Sequence, residues 1–178
     1  MTRKILIDMD GVLADLSAQL VEFTKDPTIV AENNRSDMFK THLPRYTQHG
    51  GFLYQPKMPF ADQLVNELLS LQHVGAVSLA ICGSIGDFYK PTSEIVTQKK
   101  RWLENHFPEL DSIPVIFTTS GAGKSFFANS NTMLVDDYVK NVELFANSGG
   151  RMFYWNEPSE ELIEELVDII EEWIKDNG

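Results

Sequence analysis

The chain has 178 residues, 43% hydrophobic and 23% charged, the proportions of a soluble globule large enough to bury its own core. Its formal net charge is -11, from 26 acidic against 15 basic residues, with no basic block. That balance argues against a nucleic-acid polymer or an anionic membrane as partner, and a small phosphorylated substrate would need a bound cation, Mg2+ being the obvious one.

One cysteine, Cys82, excludes an internal disulfide and suits a reducing cytoplasm. No run reaches the roughly 18 apolar residues of a membrane span. The opening MTRKILIDMD turns charged too soon for a secretory signal. The histidines, His42, His49, His73 and His106, show no zinc-type spacing.

Residues 4–9, KILIDM, read as a buried strand that ends abruptly in acid at Asp8 and Asp10. Gly11 permits a tight turn, after which VLADLSAQLVEFTKD continues as a helix. Residues 26–59 carry DP, NN, LP, HGG and QP, and read as a short helical insertion with one helix around AENNRSDMFKTHL. Pro59 opens PFADQLVNELLSLQH, a helix with Phe60, Leu64, Leu68 and Leu71 on one face. AVSLAICGS is the next strand, ending at Gly83 and Ser84. PTSEIVTQKKRWLENHF supplies a helix with Ile95, Trp102 and Leu103 turned to the core. IPVIFT, TMLVDD and GRMFYW are three further strands. The chain closes on the helix PSEELIEELVDIIEEWIKDNG, with Leu162, Leu166, Ile170 and Trp173 as its inward stripe. Acids crowd its first turn and Lys175 sits near its end, both matched to the helix dipole.

Five strands alternating with helices predict an α/β fold, a mostly parallel five-stranded sheet with helices on both faces. In such sheets the ligand crevice lies beyond the carboxyl ends of the strands. Four strand ends here are polar: Asp8 with Asp10, Gly83 with Ser84, Thr118 with Thr119, and Asp136 with Asp137. Acids capping apolar runs are poorly explained by packing. A hard cation such as Mg2+ takes oxygen ligands of this kind together with substrate phosphate. One carboxylate can attack phosphorus, while a neighbour protonates the departing alkoxide and then accepts a proton from water.

The stretch TTSGAGKS, residues 118–125, ends as a nucleotide-gripping phosphate loop does, but Thr118 stands where its first glycine belongs. The following SFFANSNT offers two helical turns at best. Gly121 and Gly123 are read instead as letting the backbone swing Lys124 back toward Asp8.

DMDGVLAD, residues 8–15, resembles the first motif of the haloacid-dehalogenase-type phosphatases. ICGS, LVDD and GGFLYQPKMPFADQLVNELL are similar, more narrowly, to the 5'(3')-deoxyribonucleotidase branch, and the likeness covers roughly residues 3–156. The resemblance implies a three-layer Rossmann-like core, residues 1–15 and 60–178, with a small helical cap at 16–59. It implies Asp8 as nucleophile and magnesium ligand, and Asp10 as general acid/base that lends its backbone carbonyl to the metal. Asp137 would be the direct metal ligand with Asp136 behind it, and Lys124 would bridge phosphate and nucleophile. Phe52 and Tyr54 become candidates for a nucleobase wall, with cap core as the alternative for both.

The implied activity is Mg2+-dependent hydrolysis of a deoxyribonucleoside monophosphate. A phosphatase of another small metabolite, or a weakly active or non-catalytic phosphate-binding protein, stays open. The departure behind that alternative is Gly83, which stands where the branch places a phosphate-binding hydroxyl, leaving Ser84 to supply it. The basic residue of the same loop is displaced too, since Asp87 precedes Lys90. Homodimerisation is neither demanded nor excluded by the periodicity.

Overall fold

A computed structural model describes residues 2–30, 35–86 and 92–175. Asp87 and Lys90, and the start of the helix expected around AENNRSDMFKTHL, lie outside them. Five strands form one sheet in the order β3-β2-β1-β4-β5: β1 (Arg3–Ile7), β2 (Val77–Ser84), β3 (Val115–Thr118), β4 (Thr132–Asp136) and β5 (Arg151–Tyr154). Every pairing is parallel. The middles of the central strands are apolar because helices cover both faces; Ile5, Leu6, Ile7, Leu134 and Val135 have no solvent exposure.

Among the described residues six α-helices accompany the sheet: α1 (Leu16–Thr24), α2 (Arg35–Gln48), α3 (Ala61–His73), α4 (Thr92–His106), α5 (Val139–Asn147) and α6 (Glu160–Lys175). The first helix starts later than its sequence suggests. Val12, Leu13 and Ala14 are buried, and the amides of Leu13 and Ala14 both donate to the Met9 carbonyl. This tight turn delays α1 until Asp15, whose carboxylate caps the Ala18 amide at 2.8 Å. Pro44 lies within α2 instead of ending it.

Two predicted stripes shift slightly. On α3 the buried face is Leu64, Val65 and Leu68, while Phe60 occupies a left-handed N-cap position at φ 62° and is partly exposed. On α6 Ile163, not Leu162, joins Leu166, Ile170 and Trp173. Arg3 binds this helix to β1: its guanidinium lies over the Trp173 ring and donates to the Trp173 carbonyl at 3.0 Å.

The main core packs α3, α4 and α6 against the sheet. A second apolar cluster gathers Leu16 and Leu20 of α1, Ile29, Leu43 and Tyr46 of α2, Phe52, and Ile95 of α4. It lies on the segment between β1 and α3 and reaches the core through α4.

Candidate active site

The parallel sheet delivers the ends of β1 and β4 side by side, so Asp8 follows β1 and Asp136 closes β4. Lys124 comes to them from the 3-10 helix at Gly121–Phe127 that follows β3. Its ammonium is 2.7 Å from the Asp8 carboxylate and 2.5 Å from that of Asp136. All three side chains are buried. Burial works against the Lys124 cation, but Asp8 and Asp136 together outweigh it and hold its pKa above the ordinary lysine value. For Asp8 the balance falls the other way. Burial pushes its carboxyl up to about 6, against the pull of Lys124 and with the help of the Asp136 charge.

Asp136 has every lone-pair direction in use. One oxygen accepts from the Tyr138 amide at 2.9 Å and from Asn141 Nδ2 at 3.1 Å; the other accepts from Lys124 and from the same Asn141 nitrogen at 3.1 Å. Asp137 completes the acidic set, since Asp8, Asp136 and Asp137 each place one carboxylate oxygen within 4.8 Å of the others. Gly11 makes room for it. That glycine has φ +89°, and a Cβ there would lie 2.2 Å from the Asp137 carboxylate. An all-oxygen, partly buried set of this kind matches a hard divalent cation.

Asp10 stands apart from the acidic trio. Its carboxylate takes an ion pair from Lys99, and Gln55 Nε2 approaches it at 3.4 Å. Gly83 is buried inside β2, and the strand continues through Ser84, which pairs in register with Thr118. The Ser84 carbonyl accepts from Lys99 at 2.7 Å. Phe52 and Tyr54 separate. Phe52 is 2% exposed, with its ring edge-on to Tyr46 in the second apolar cluster, whereas Tyr54 is 68% exposed.

The glycines beside Lys124 act differently from the expectation. Neither Gly121 nor Gly123 has a positive φ. Gly121 instead admits the Asn141 amide, whose oxygen would lie 2.4 Å from a Cβ at that position. With Lys124 buried between two aspartates on a 3-10 helix, this loop has no nucleotide-gripping geometry.

Lys99, Asn141 and Gln55 went unnoticed in the sequence. Lys99 left a signal: Ile95, Gln98, Lys99, Trp102 and Leu103 form one buried stripe on α4 with two polar residues inside it. Asn141 and Gln55 left none: Gln55 meets Asp10 from 45 residues away, and Asn141 reaches back to Asp136 from the first turn of α5 as an ordinary polar helix residue.

No family model and no curated protein sequence matches the chain. Solved structures do. A putative haloacid dehalogenase-like hydrolase from Bacteroides fragilis superposes with TM-score 0.56 at 14% identity, covering 93% of this chain and 93% of its own. A haloacid dehalogenase-family enzyme from Bacteroides thetaiotaomicron, an Asp-to-Ala variant with magnesium and inorganic phosphate bound, gives 0.55 at 12% identity over 90% of this chain and 97% of its own. L-2-haloacid dehalogenase from Xanthobacter autotrophicus gives 0.55 at 13% identity, over 94% and 83%. The parallel sheet order, the acidic strand ends and these superpositions together establish that the chain has the Rossmann-like haloacid dehalogenase fold.

Proposed function

We propose that the protein is a Mg2+-dependent phosphomonoesterase that works through an aspartyl-phosphate on Asp8, with a deoxyribonucleoside monophosphate as substrate. The observation that carries this reading is the Lys124 ammonium set between Asp8 and Asp136 at the carboxyl ends of adjacent strands. A protein of the same fold binds magnesium and phosphate together, which supports the metal and the anion here.

With a pKa of about 6, Asp8 is ionised at neutral pH and able to attack phosphorus. As the Asp8 oxygen–phosphorus bond forms, the ester P–O bond breaks, and Asp10, carrying the proton taken from water in the preceding turnover, gives it to the departing alkoxide. In the second half, Asp10 takes a proton from the water that attacks the same phosphorus, which frees Asp8 and releases phosphate. Lys124 balances the charge gathering on the phosphoryl oxygens, and Asp136 with Asn141 keeps that amine aimed. Ser84 supplies the hydroxyl that Gly83 lacks. Asp8 and Asp137 would hold Mg2+ directly, with Asp136 behind them holding Lys124, the Tyr138 amide and Asn141. Bound there, the cation would neutralise phosphate charge.

Residues 16–59 are read as a cap with its own apolar centre, closing over the substrate. One observation favours a second reading, hydrolysis of a different small phosphorylated metabolite. Phe52 is spent on that apolar centre and Tyr54 faces solvent, so neither walls a nucleobase in this arrangement. Phosphate release from a panel of nucleotide and sugar phosphates, with Mg2+ or with chelator, tests both readings beside D8N. Metal-dependent release that D8N abolishes is expected, and the preferred panel member chooses between the substrates. Release that persists in D8N would refute the catalytic assignment.

A further inference from the structure

Lys99 is a lysine where the fold asks for a leucine. It sits on the buried stripe of α4, its side chain 1% exposed, between Ile95 and Trp102. A charge is costly in such a place even when paired, and apolar residues in place of a whole buried ion pair are often as good or better for stability. Packing therefore does not account for it.

Its contacts do. The ammonium is ion-paired with Asp10, donates to the Ser84 carbonyl at 2.7 Å, and lies over the Phe52 ring at 4.9 Å from the centroid. It thus joins the turn after β1, the end of β2 and the segment between β1 and α3. Asp8, Asp136 and Lys124 form a separate ionic group.

We infer that Lys99 is a positioning residue for Asp10: it fixes the carboxylate that exchanges protons with the leaving group and with water. The inference rests on the phosphotransfer reading above. It assigns Lys99 no contact with substrate. Gln55 assists from the other oxygen of Asp10, and its own backbone carbonyl is held by Trp102 Nε1 at 2.8 Å. Because Phe52 covers the ammonium, the aim of Asp10 depends on the segment that carries Phe52.

The test uses leaving groups. K99M, D10N and the double variant are assayed for kcat/KM on p-nitrophenyl phosphate and on an alkyl phosphate. Nitrophenolate departs without a proton, whereas an alkoxide needs one. Misplacing Asp10 should cost the alkyl ester on the order of 100-fold and the nitrophenyl ester less than about threefold. D10N should show the same selectivity, and the double variant should be no slower than D10N. Melting temperature should fall in K99M, which leaves the Asp10 carboxylate without its cation, and recover in the double variant. Equal losses on both esters, or additive losses in the double variant, would overturn the inference while leaving D8N-sensitive turnover intact. If the wild type hydrolyses neither ester, the phosphotransfer reading fails, and a crystal structure of K99M decides the positioning claim alone. A displaced Asp10 carboxylate upholds it and an unmoved one refutes it.

Discussion

Asp8→Asn should make the metal-free protein more stable, and by an amount that depends on pH. The folded pKa of Asp8 is raised from 3.8 to about 6, chiefly by burial. A carboxyl with a raised pKa favours folding below its unfolded value, and that contribution is lost as pH rises through the folded value. The gap between 3.8 and about 6, at about 1.4 kcal/mol per pH unit, is about 3 kcal/mol. Asparagine keeps the shape and never ionises. D8N should therefore gain about 3 kcal/mol over wild type at pH 8, about half of that at pH 5, and little near pH 3. For a chain of this size the pH 8 gain corresponds to a melting temperature roughly 6–12 °C higher. The assay is thermal or urea unfolding of both proteins in chelator at the three pH values. A D8N advantage that is the same at every pH, or a D8N protein less stable at pH 8, would show that burial does not raise the Asp8 carboxyl.

Three further substitutions probe the rest of the site. K124M leaves two buried carboxylates facing each other and should cost about 3–5 kcal/mol in urea unfolding at pH 8, with phosphate release lost. G11A meets both a left-handed backbone and the Asp137 carboxylate, so it should abolish the rise in melting temperature that Mg2+ gives the wild type. S84A removes the only hydroxyl that the end of β2 carries and should lower kcat/KM by about 100- to 1,000-fold. An S84A enzyme within twofold of wild type would move the phosphate-binding role elsewhere.

The fold was legible because its signals are local. Each strand is an apolar run with a polar end, and parallel pairing follows from the helices between them. Asp8, Asp136 and Asp137 could be found the same way, as polar residues at strand ends, and Lys124 from the TTSGAGKS stretch; the structure brings them together. What could not be read was how the ends are stabilised. The turn of Val12–Ala14 looks like helix in sequence, yet core burial and two amides on one carbonyl hold it back from α1. Gly121 looked like a hinge, but its function depends on Asn141, 20 residues away on another element. Lys99 and Gln55 meet Asp10 only after α4 and the insertion have packed. Phe52 and Tyr54, alike in sequence as aromatic candidates, end in opposite environments, Phe52 inside the second apolar cluster and Tyr54 in solvent.

The central claim is that Asp8 takes the phosphoryl group. Mixing the protein with Mg2+ and a phosphomonoester, quenching in acid and reducing with borohydride converts an acyl phosphate into a stable alcohol that peptide mass spectrometry can place. One reduced residue is expected, at Asp8, present in wild type and absent from D8N. Phosphate release with no reduction at Asp8, or with the reduced carboxyl at Asp136 or Asp137 instead, would contradict it.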